Sequence, residues 1–223
     1  GVSCRGVLTN GIVRARIEHV FPLQATLFGG GEPAADLSFA DAVRIDLDGT
    51  SWVEFVPQWL GGADTLFEQI LDTVELSQRT GIRMYESVVD EPRLTSWWHA
   101  QSGDPEPLPI LTTLREMMIA RYHRPFDSLG VNLYRDGNDS VAWHGDRHRH
   151  HTTDPVVVLL SLGAPRPLKL RPRGGGPSRS WDLGRGDLFA MGGACQHDWE
   201  HCVPKLARAV GPRMSVAFRH DTR

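Results

Sequence analysis

Five short apolar segments separated by turn-forming residues dominate the second half of this 223-residue chain. Gly, Pro, Asp or Asn flanks each segment, as expected for short β-strands joined by tight loops. The segments are residues 130–135, 141–144, 156–162, 187–191 and 213–219. Strands this short bury their apolar faces only by packing together, so the pattern predicts a β-sandwich or β-barrel core.

Two amphipathic helices are predicted before these strands. Apolar side chains recur every three or four residues in two stretches, as on one face of a helix. They are Leu66, Ile70, Leu71 and Val74 in the first stretch, residues 63–78, and Leu111, Leu114 and Met118 in the second, which ends before Arg121. Helices followed by a run of strands indicate an α+β fold.

Composition narrows the class of protein. The longest aliphatic run, residues 156–160, is far shorter than the roughly 20 residues that a membrane helix needs. The three cysteines are an odd number without metal-finger spacing, which favours reduced thiols over a disulfide framework. We therefore expect a cytoplasmic protein, monomeric and not bound to membranes.

Charge is distributed unevenly along the chain. Residues 1–120 carry a net charge of −9, whereas residues 121–223 carry +6. A basic half can face a polyanion such as nucleic acid. A solvated basic surface is the alternative that composition leaves open.

A metal site is predicted from His144-Gly145-Asp146, directly after a predicted strand. Alternate residues of a strand point the same way, so both side chains would share one face. A third ligand must then come from a neighbouring strand; His201 is the candidate, with His197 as its rival. Two histidines and one carboxylate form the facial triad that leaves open positions on Fe(II).

Two arginines share a face of the last predicted strand. Strict alternation over residues 213–219 puts Arg213 and Arg219 on one side and the apolar residues on the other. A guanidinium binds a carboxylate with two parallel hydrogen bonds. The pair is therefore what a small dicarboxylate co-substrate beside Fe(II) would require.

These residues belong to a longer ordered set of motifs. In chain order they are Asn132-Leu133-Tyr134-Arg135-Asp136-Gly137, His144-Gly145-Asp146, Ser161-Leu162-Gly163, Gly186-Asp187, His201 and residues 213–219. The set resembles the AlkB-type Fe(II)- and 2-oxoglutarate-dependent dioxygenases over about residues 50–223. The resemblance implies a double-stranded β-helix (jelly-roll) core with flanking N-terminal helices and a substrate lid. We expect residues 1–50 to form an extension packed on a single domain, residues 51–223.

The same resemblance implies roles for individual residues. His144, Asp146 and His201 would bind Fe(II), and the co-substrate 2-oxoglutarate would be bound by Asn132, Tyr134, Arg213 and Arg219. With O2, the enzyme would demethylate bases of the 1-methyladenine and 3-methylcytosine type in DNA, giving succinate, CO2 and formaldehyde.

Single-stranded DNA is the favoured substrate, because residues 79–83 and 92–97 resemble the animal homologues that prefer single strands. Two alternatives stay open: the same chemistry on tRNA, other RNA or a protein side chain, and a non-catalytic nucleic-acid-binding module.

Contacts to an extruded base need flat side chains. Trp97, Trp98 and Tyr85 lie in the segment similar to the family's substrate lid, and Trp98 is favoured as the stacking residue. Adjacent strand residues face opposite ways, so only one tryptophan is expected to stack. His148 occupies a slot that is usually acidic in members acting on methylated adenine and cytosine, and it is the fourth candidate base contact.

Overall fold

The computed structural model describes residues 12–14, 29–84, 87–89, 91–146 and 154–220. Three α-helices lie in these ranges, α1 (Ala63–Thr73), α2 (Pro109–Tyr122) and the short α3 (Cys195–Asp198), together with a 3-10 helix, Ala100–Ser102. The strands are β1 (Ile12–Arg14), β2 (Ala34–Ala35), β3 (Val43–Asp46), β4 (Ser51–Val56), β5 (Leu60–Gly61), β6 (Ser77–Arg79), β7 (Ile82–Met84), β8 (Ser87–Val89), β9 (Leu94–His99), β10 (Ser128–Tyr134), β11 (Val141–His144), β12 (Val157–Gly163), β13 (Arg166–Pro172), β14 (Arg179–Leu183), β15 (Asp187–Gly193), β16 (Trp199–Val203) and β17 (Arg213–Arg219).

Two antiparallel sheets form the framework. The major sheet has the strand order β1-β6-β9-β10-β17-β12-β15-β4-β3, and the minor sheet has the order β11-β16-β13-β14. Strands far apart in the chain are neighbours in both sheets, as in jelly rolls. The α+β jelly-roll prediction is therefore confirmed.

The major sheet buries both of its faces, which explains why its central strands are almost continuously apolar. Along β12, Val158, Leu160 and Leu162 pack toward the helices, and Val157 and Leu159 belong to the core shared with the minor sheet. Leu168 and Leu170 of β13 complete that second core. These apolar side chains therefore fill one end of the space between the two sheets.

Helix α1 packs on the sheet through its predicted apolar side, where Leu66, Phe67 and Ile70 are completely buried. The helix ends at Thr73, before the predicted end at residue 78, because residues 77–79 pair as β6 with β1 and β9. Helix α2 begins with a proline at its first turn, a position that lacks an intrahelical hydrogen-bond partner in any case.

The five predicted strands match β10, β11, β12, β15 and β17 to within two residues. Strands β13 and β14 were not predicted. The alternation of Leu168 and Leu170 with Lys169 in β13 was the available signal, but prolines occupy the second and last positions of that strand.

Outside the predicted strands, β3 joins the edge of the major sheet by pairing with β4. The domain boundary at residue 50 stays a prediction. No helix in the described ranges has the length and apolar composition required to cross a bilayer.

Candidate active site

A cavity of about 980 Å³ opens between the two sheets. Its walls come from β10 and β17 of the major sheet and from β11 and β16 of the minor sheet, with residues 91–97 along one side. Cavities of this size accommodate small-molecule ligands and cofactors.

The structure brings His144, Asp146 and His201 together in this cavity. His144 ends β11 and is the cross-strand neighbour of His201 on β16, so strand pairing alone places the two imidazoles side by side. Their ring centroids are 4.2 Å apart. One ligand atom from each of the three residues lies within 4.8 Å of the others. Among the described residues, these three form the cluster that could hold a metal ion.

The protonation of the cluster suits metal binding. His144 Nδ1 lies 2.8 Å from the Ala142 carbonyl oxygen. Because a carbonyl only accepts, this nitrogen carries the proton and Nε2 keeps its lone pair. Burial lowers the pKa of His201 to about 3, against the opposing effect of the Asp146 charge, so its imidazole is neutral at pH 7. Two imidazoles and one carboxylate are a donor set that fits Fe(II) with open positions.

The rival ligand His197, and the nearby thiol of Cys202, lie outside this cluster. His197 is exposed on α3 and does not line the cavity. Cys202 follows His201 on β16 and is buried outside the cavity lining, where burial raises the pKa of its thiol. Neither side chain belongs to the cluster.

Arg219 contacts a metal-site residue. Its Nη2 lies 2.8 Å from Asp146 Oδ1, and its guanidinium lies 5.0 Å from the Trp97 ring centroid. Arg213 lies six residues away, about 20 Å along β17, and both arginines line the cavity. The expectation that Arg219 binds 2-oxoglutarate together with Arg213 stays a prediction.

Arg213 is the buried cation of the cavity. It is 1% exposed, and its Nη2 donates a hydrogen bond to Ser161 Oγ at 2.7 Å. The Tyr134 ring centroid lies 5.3 Å from the guanidinium carbon. Among the described residues no carboxylate lies within ion-pair distance of Arg213, and its Nε has no hydrogen-bond partner. A buried cation in this state is compensated when an anion binds.

A contact with Arg93 fixes the orientation of the side-chain amide of Asn132. Its Oδ1 accepts a hydrogen bond from Arg93 Nε at 3.1 Å. A guanidinium only donates, so the amide oxygen must face Arg93 and the NH2 group keeps its donors for another partner. Arg93 was absent from the predicted site residues, although it stands in a motif that carried the resemblance. No periodicity marks such a contact between residues that are 39 positions apart in the chain.

Trp97 and Trp98 face opposite sides of β9, as strand alternation requires. Trp97 faces the cavity, whereas we expected Trp98 to do so. Trp97 is 44% exposed, lines the cavity and lies over Gly130, where a Cβ atom would approach the indole to 2.8 Å. Trp98 packs against the helix-side core, and its Nε1 donates to the Asp104 carbonyl at 2.9 Å. The structure therefore places Trp97 on the cavity, and not Trp98 as we expected; which residue stacks on a base stays a prediction.

Two other predicted base contacts, Tyr85 and His148, lie outside the described residues. Their roles stay predictions.

Comparison with known proteins places these features in a family. Residues 68–219 match the model of the 2OG-Fe(II) oxygenase superfamily. The mouse alpha-ketoglutarate-dependent dioxygenase alkB homolog 3 is 35% identical over 176 residues, which cover 70% of this chain and 61% of that protein. The chain thus spans about three fifths of that relative's length.

Two further comparisons differ in sequence identity and in the share of each chain that they cover. The mouse DNA oxidative demethylase ALKBH2 is 25% identical over 86% of this chain and 91% of its own length. A Trichoplax adhaerens prolyl hydroxylase, solved with a hypoxia inducible factor peptide fragment, superposes with a TM-score of 0.56 at 14% identity and covers 76% of this chain and 83% of its own. That last similarity concerns the fold alone. The chain belongs to the 2OG-Fe(II) oxygenase superfamily.

Proposed function

We propose that this protein removes alkyl groups from the ring nitrogens of bases in DNA, as an Fe(II)- and 2-oxoglutarate-dependent dioxygenase. The observation that carries the proposal is the convergence of the His144, Asp146 and His201 cluster with the buried Arg213 in one cavity. A metal site alone suits many reactions. A metal site next to a cation without a carboxylate partner suits a co-substrate that binds both.

The bound iron, with 2-oxoglutarate and O2, supplies the oxidising power that hydroxylates the alkyl carbon, and the products are succinate, CO2, formaldehyde and the restored base. His144, Asp146 and His201 would hold the iron. Arg213 would bind the far carboxylate of 2-oxoglutarate, with Ser161 orienting the guanidinium. Asn132 and Tyr134, whose hydroxyl interacts with Arg213, line the same wall and would also contact 2-oxoglutarate.

Besides the predicted contact with 2-oxoglutarate, Arg219 would position a metal ligand in this proposal. Its contact with Asp146 Oδ1 holds the carboxylate in one orientation and leaves Oδ2 on the side of His201, 3.9 Å from its Nε2. Such a contact to a ligand typically changes metal affinity or activity by about 10–100-fold when removed. Leu159 and Ala217 form the apolar wall that limits water around the reacting carbon.

Trp97 is the surface on which we propose that the base stacks. Stacking on an aromatic side chain contributes about 1–3 kcal/mol per base. A base in a duplex must first leave its stack, and this is cheapest for a damaged base or a single strand. Single-stranded DNA with 1-methyladenine or 3-methylcytosine is therefore the proposed substrate. Similarity to proteins named DNA oxidative demethylase supports DNA as the polymer.

The test is direct. Iron-loaded protein, 2-oxoglutarate and air are incubated with single-stranded oligonucleotides containing 1-methyladenine or 3-methylcytosine. We expect stoichiometric formaldehyde and unmodified base by mass spectrometry. A parallel panel of methylated RNA decides the polymer. Turnover of 2-oxoglutarate without change in any nucleic acid would refute base demethylation and direct the search to protein substrates.

A further inference from the structure

A second arginine, Arg166 at the start of β13, is completely buried outside the cavity. It is 0% exposed, and among the described residues only Arg213 is an arginine buried to a similar degree. Unlike Arg213, Arg166 does not line the cavity, so neither the metal nor the co-substrate would reach it. Burial of a guanidinium costs free energy unless its N–H groups find acceptors, so the partners of Arg166 indicate its role.

Three backbone carbonyl groups accept hydrogen bonds from Arg166. Its Nη1 donates to the Asp136 carbonyl at 2.7 Å, and its Nη2 donates to the carbonyls of Asp139 and Pro204 at 2.9 and 2.8 Å. All three carbonyls lie outside strands and helices, where regular backbone pairing does not satisfy them. The planar fork of one guanidinium thus joins two segments, residues 135–140 and the residue that follows β16.

These two segments adjoin the strands that carry the histidine ligands. Residues 135–140 lead directly into β11, which ends at His144. Pro204 follows directly after β16, which contains His201. Arg166 therefore binds the backbone at the beginning of one ligand-bearing strand and at the end of the other.

The pairing of β11 with β16 is short and irregular. Val141 pairs with Val203 and His144 pairs with His201, but the register shifts between these two pairs. A bulged pairing of four residues does little to fix its own register, and a slip of one residue would turn an imidazole to the opposite face. The contacts of Arg166 lie just beyond the Val141–Val203 pair, where they can prevent such a slip.

A close backbone contact between the same two segments supports this interpretation. The Leu206 N–H donates to the Gly137 carbonyl at 2.8 Å. A Cβ atom on residue 137 would lie 2.4 Å from the Leu206 carbonyl oxygen, so a larger residue would displace one of the segments. Because the two backbones are in contact, a shift of one segment moves the other.

We propose that Arg166 is a positioning residue of the metal site, which holds β11 and β16 against each other and thereby keeps the imidazoles of His144 and His201 at the separation that a metal ion requires. A site held close to its final geometry binds more tightly than one that must be assembled. The inference rests on the proposed function only in that these histidines bind the metal, and it is independent of the substrate.

The experiment measures binding of Mn(II) to the metal-free protein, with the free ion detected by electron paramagnetic resonance. Mn(II) is the neighbour of Fe(II) in the order of divalent-metal affinities. Arg166→Lys keeps the charge but loses the fork that reaches three carbonyls. We expect its dissociation constant for Mn(II) to rise about 10-fold, the lower end of the range for groups that orient metal ligands. Arg166→Met, which also loses the charge, should raise it further if that protein folds.

Arg115→Lys is the matched control. Arg115 of α2 donates to the Phe126 carbonyl at 3.1 Å, pairs with Glu106 and does not line the cavity. Both lysine variants should unfold at a lower urea concentration, because backbone carbonyls lose their donors. Only Arg166→Lys should bind Mn(II) more weakly. An unchanged dissociation constant in Arg166→Lys, or an equal rise in both variants, would mean that Arg166 only stabilises the fold and would overturn the proposal.

Gly137→Ala tests the same mechanism without a change at Arg166. The added Cβ should displace the two segments and raise the dissociation constant for Mn(II) by a similar factor. Gly61→Ala is its control, because a Cβ there would lie at an ordinary 3.5 Å from the Ala34 carbonyl oxygen, and it should bind Mn(II) like wild type. Wild-type binding in Gly137→Ala would contradict the proposal.

Failure of this proposal is distinct from failure of the proposed function. Mn(II) binding requires no nucleic acid, so a protein that demethylates no base still tests Arg166. Demethylation by wild type, together with unchanged Mn(II) binding in the Arg166 variants, refutes the role of Arg166 alone. Failure of wild type to bind Mn(II) also overturns that role.

Discussion

The two faces of strand β17 have different functions: one stabilises the fold, and the other lines the active-site cavity. Met214, Val216 and Phe218 are completely buried against the helix-side core. Their neighbours Arg213, Ser215, Ala217 and Arg219 line the cavity on the opposite face. One strand thus anchors the fold and supplies the site, because side chains alternate. Substitutions on the two faces should therefore have separable effects.

The largest effect is expected on the cavity side of the minor sheet. His201→Ala removes one of the three metal ligands, and we expect activity to fall by more than about 100-fold, the upper range for merely perturbing a ligand's partner. Metal content by mass spectrometry and 2-oxoglutarate turnover measure this loss. His197→Ala, at the exposed neighbouring histidine, is the control and should keep both.

A substitution on the helix-side face should lower stability and leave the binding of 2-oxoglutarate unchanged. Phe218→Ala leaves a cavity in the core and should lower the free energy of unfolding by about 3–5 kcal/mol. Urea denaturation measures the change. At a temperature where the variant is folded, its KM for 2-oxoglutarate should equal that of wild type; a large increase would mean that the two faces are coupled.

Arg213→Met sharpens the comparison, since it changes binding and stability in different directions. Loss of the guanidinium should raise the KM for 2-oxoglutarate by about 10- to 100-fold, as for a lost charged hydrogen bond. The protein without co-substrate should unfold at the same or a higher urea concentration, because a buried cation with no described carboxylate partner has been removed. Marked destabilisation would indicate a structural role instead.

The smallest effect is expected at the two adjacent tryptophans. Trp97→Ala should weaken binding of a methylated oligonucleotide by about 1–3 kcal/mol, with little change in unfolding. Trp98→Ala should mainly lower stability, because Trp98 packs against the core. Anisotropy titrations and thermal unfolding of both variants separate these roles, and the reverse pattern would restore our original assignment to Trp98.

The sequence was most informative where one short segment contains the whole signal. Alternation along residues 213–219 predicted both faces of β17, and the apolar spacing predicted the buried face of α1. The histidine and aspartate at alternate positions predicted that His144 and Asp146 lie together, which the cluster bears out geometrically. The end of α1 was missed because pairing of β6 with other strands overrode local periodicity.

Contacts between segments that are distant in the chain were harder to predict from the sequence. Arg93 contacts Asn132 across 39 residues, and Arg219 contacts Asp146 across 73. Neither contact follows from a period of two or of 3.6, and the second was not among the contacts expected of Arg219. Trp97 and Trp98 show the same limit: alternation indicated that they separate, but not which one faces the cavity.

By itself the sequence determined the classes of element, the apolar faces and the residue types of a metal site, because hydrophobic periodicity and side-chain chemistry act over a few neighbouring residues. Tertiary structure alone decided which wall of the cavity each side chain occupies and which charges meet there. Those pairings depend on the register between strands that are distant in the chain, and a shift of one residue would turn each side chain to the opposite face.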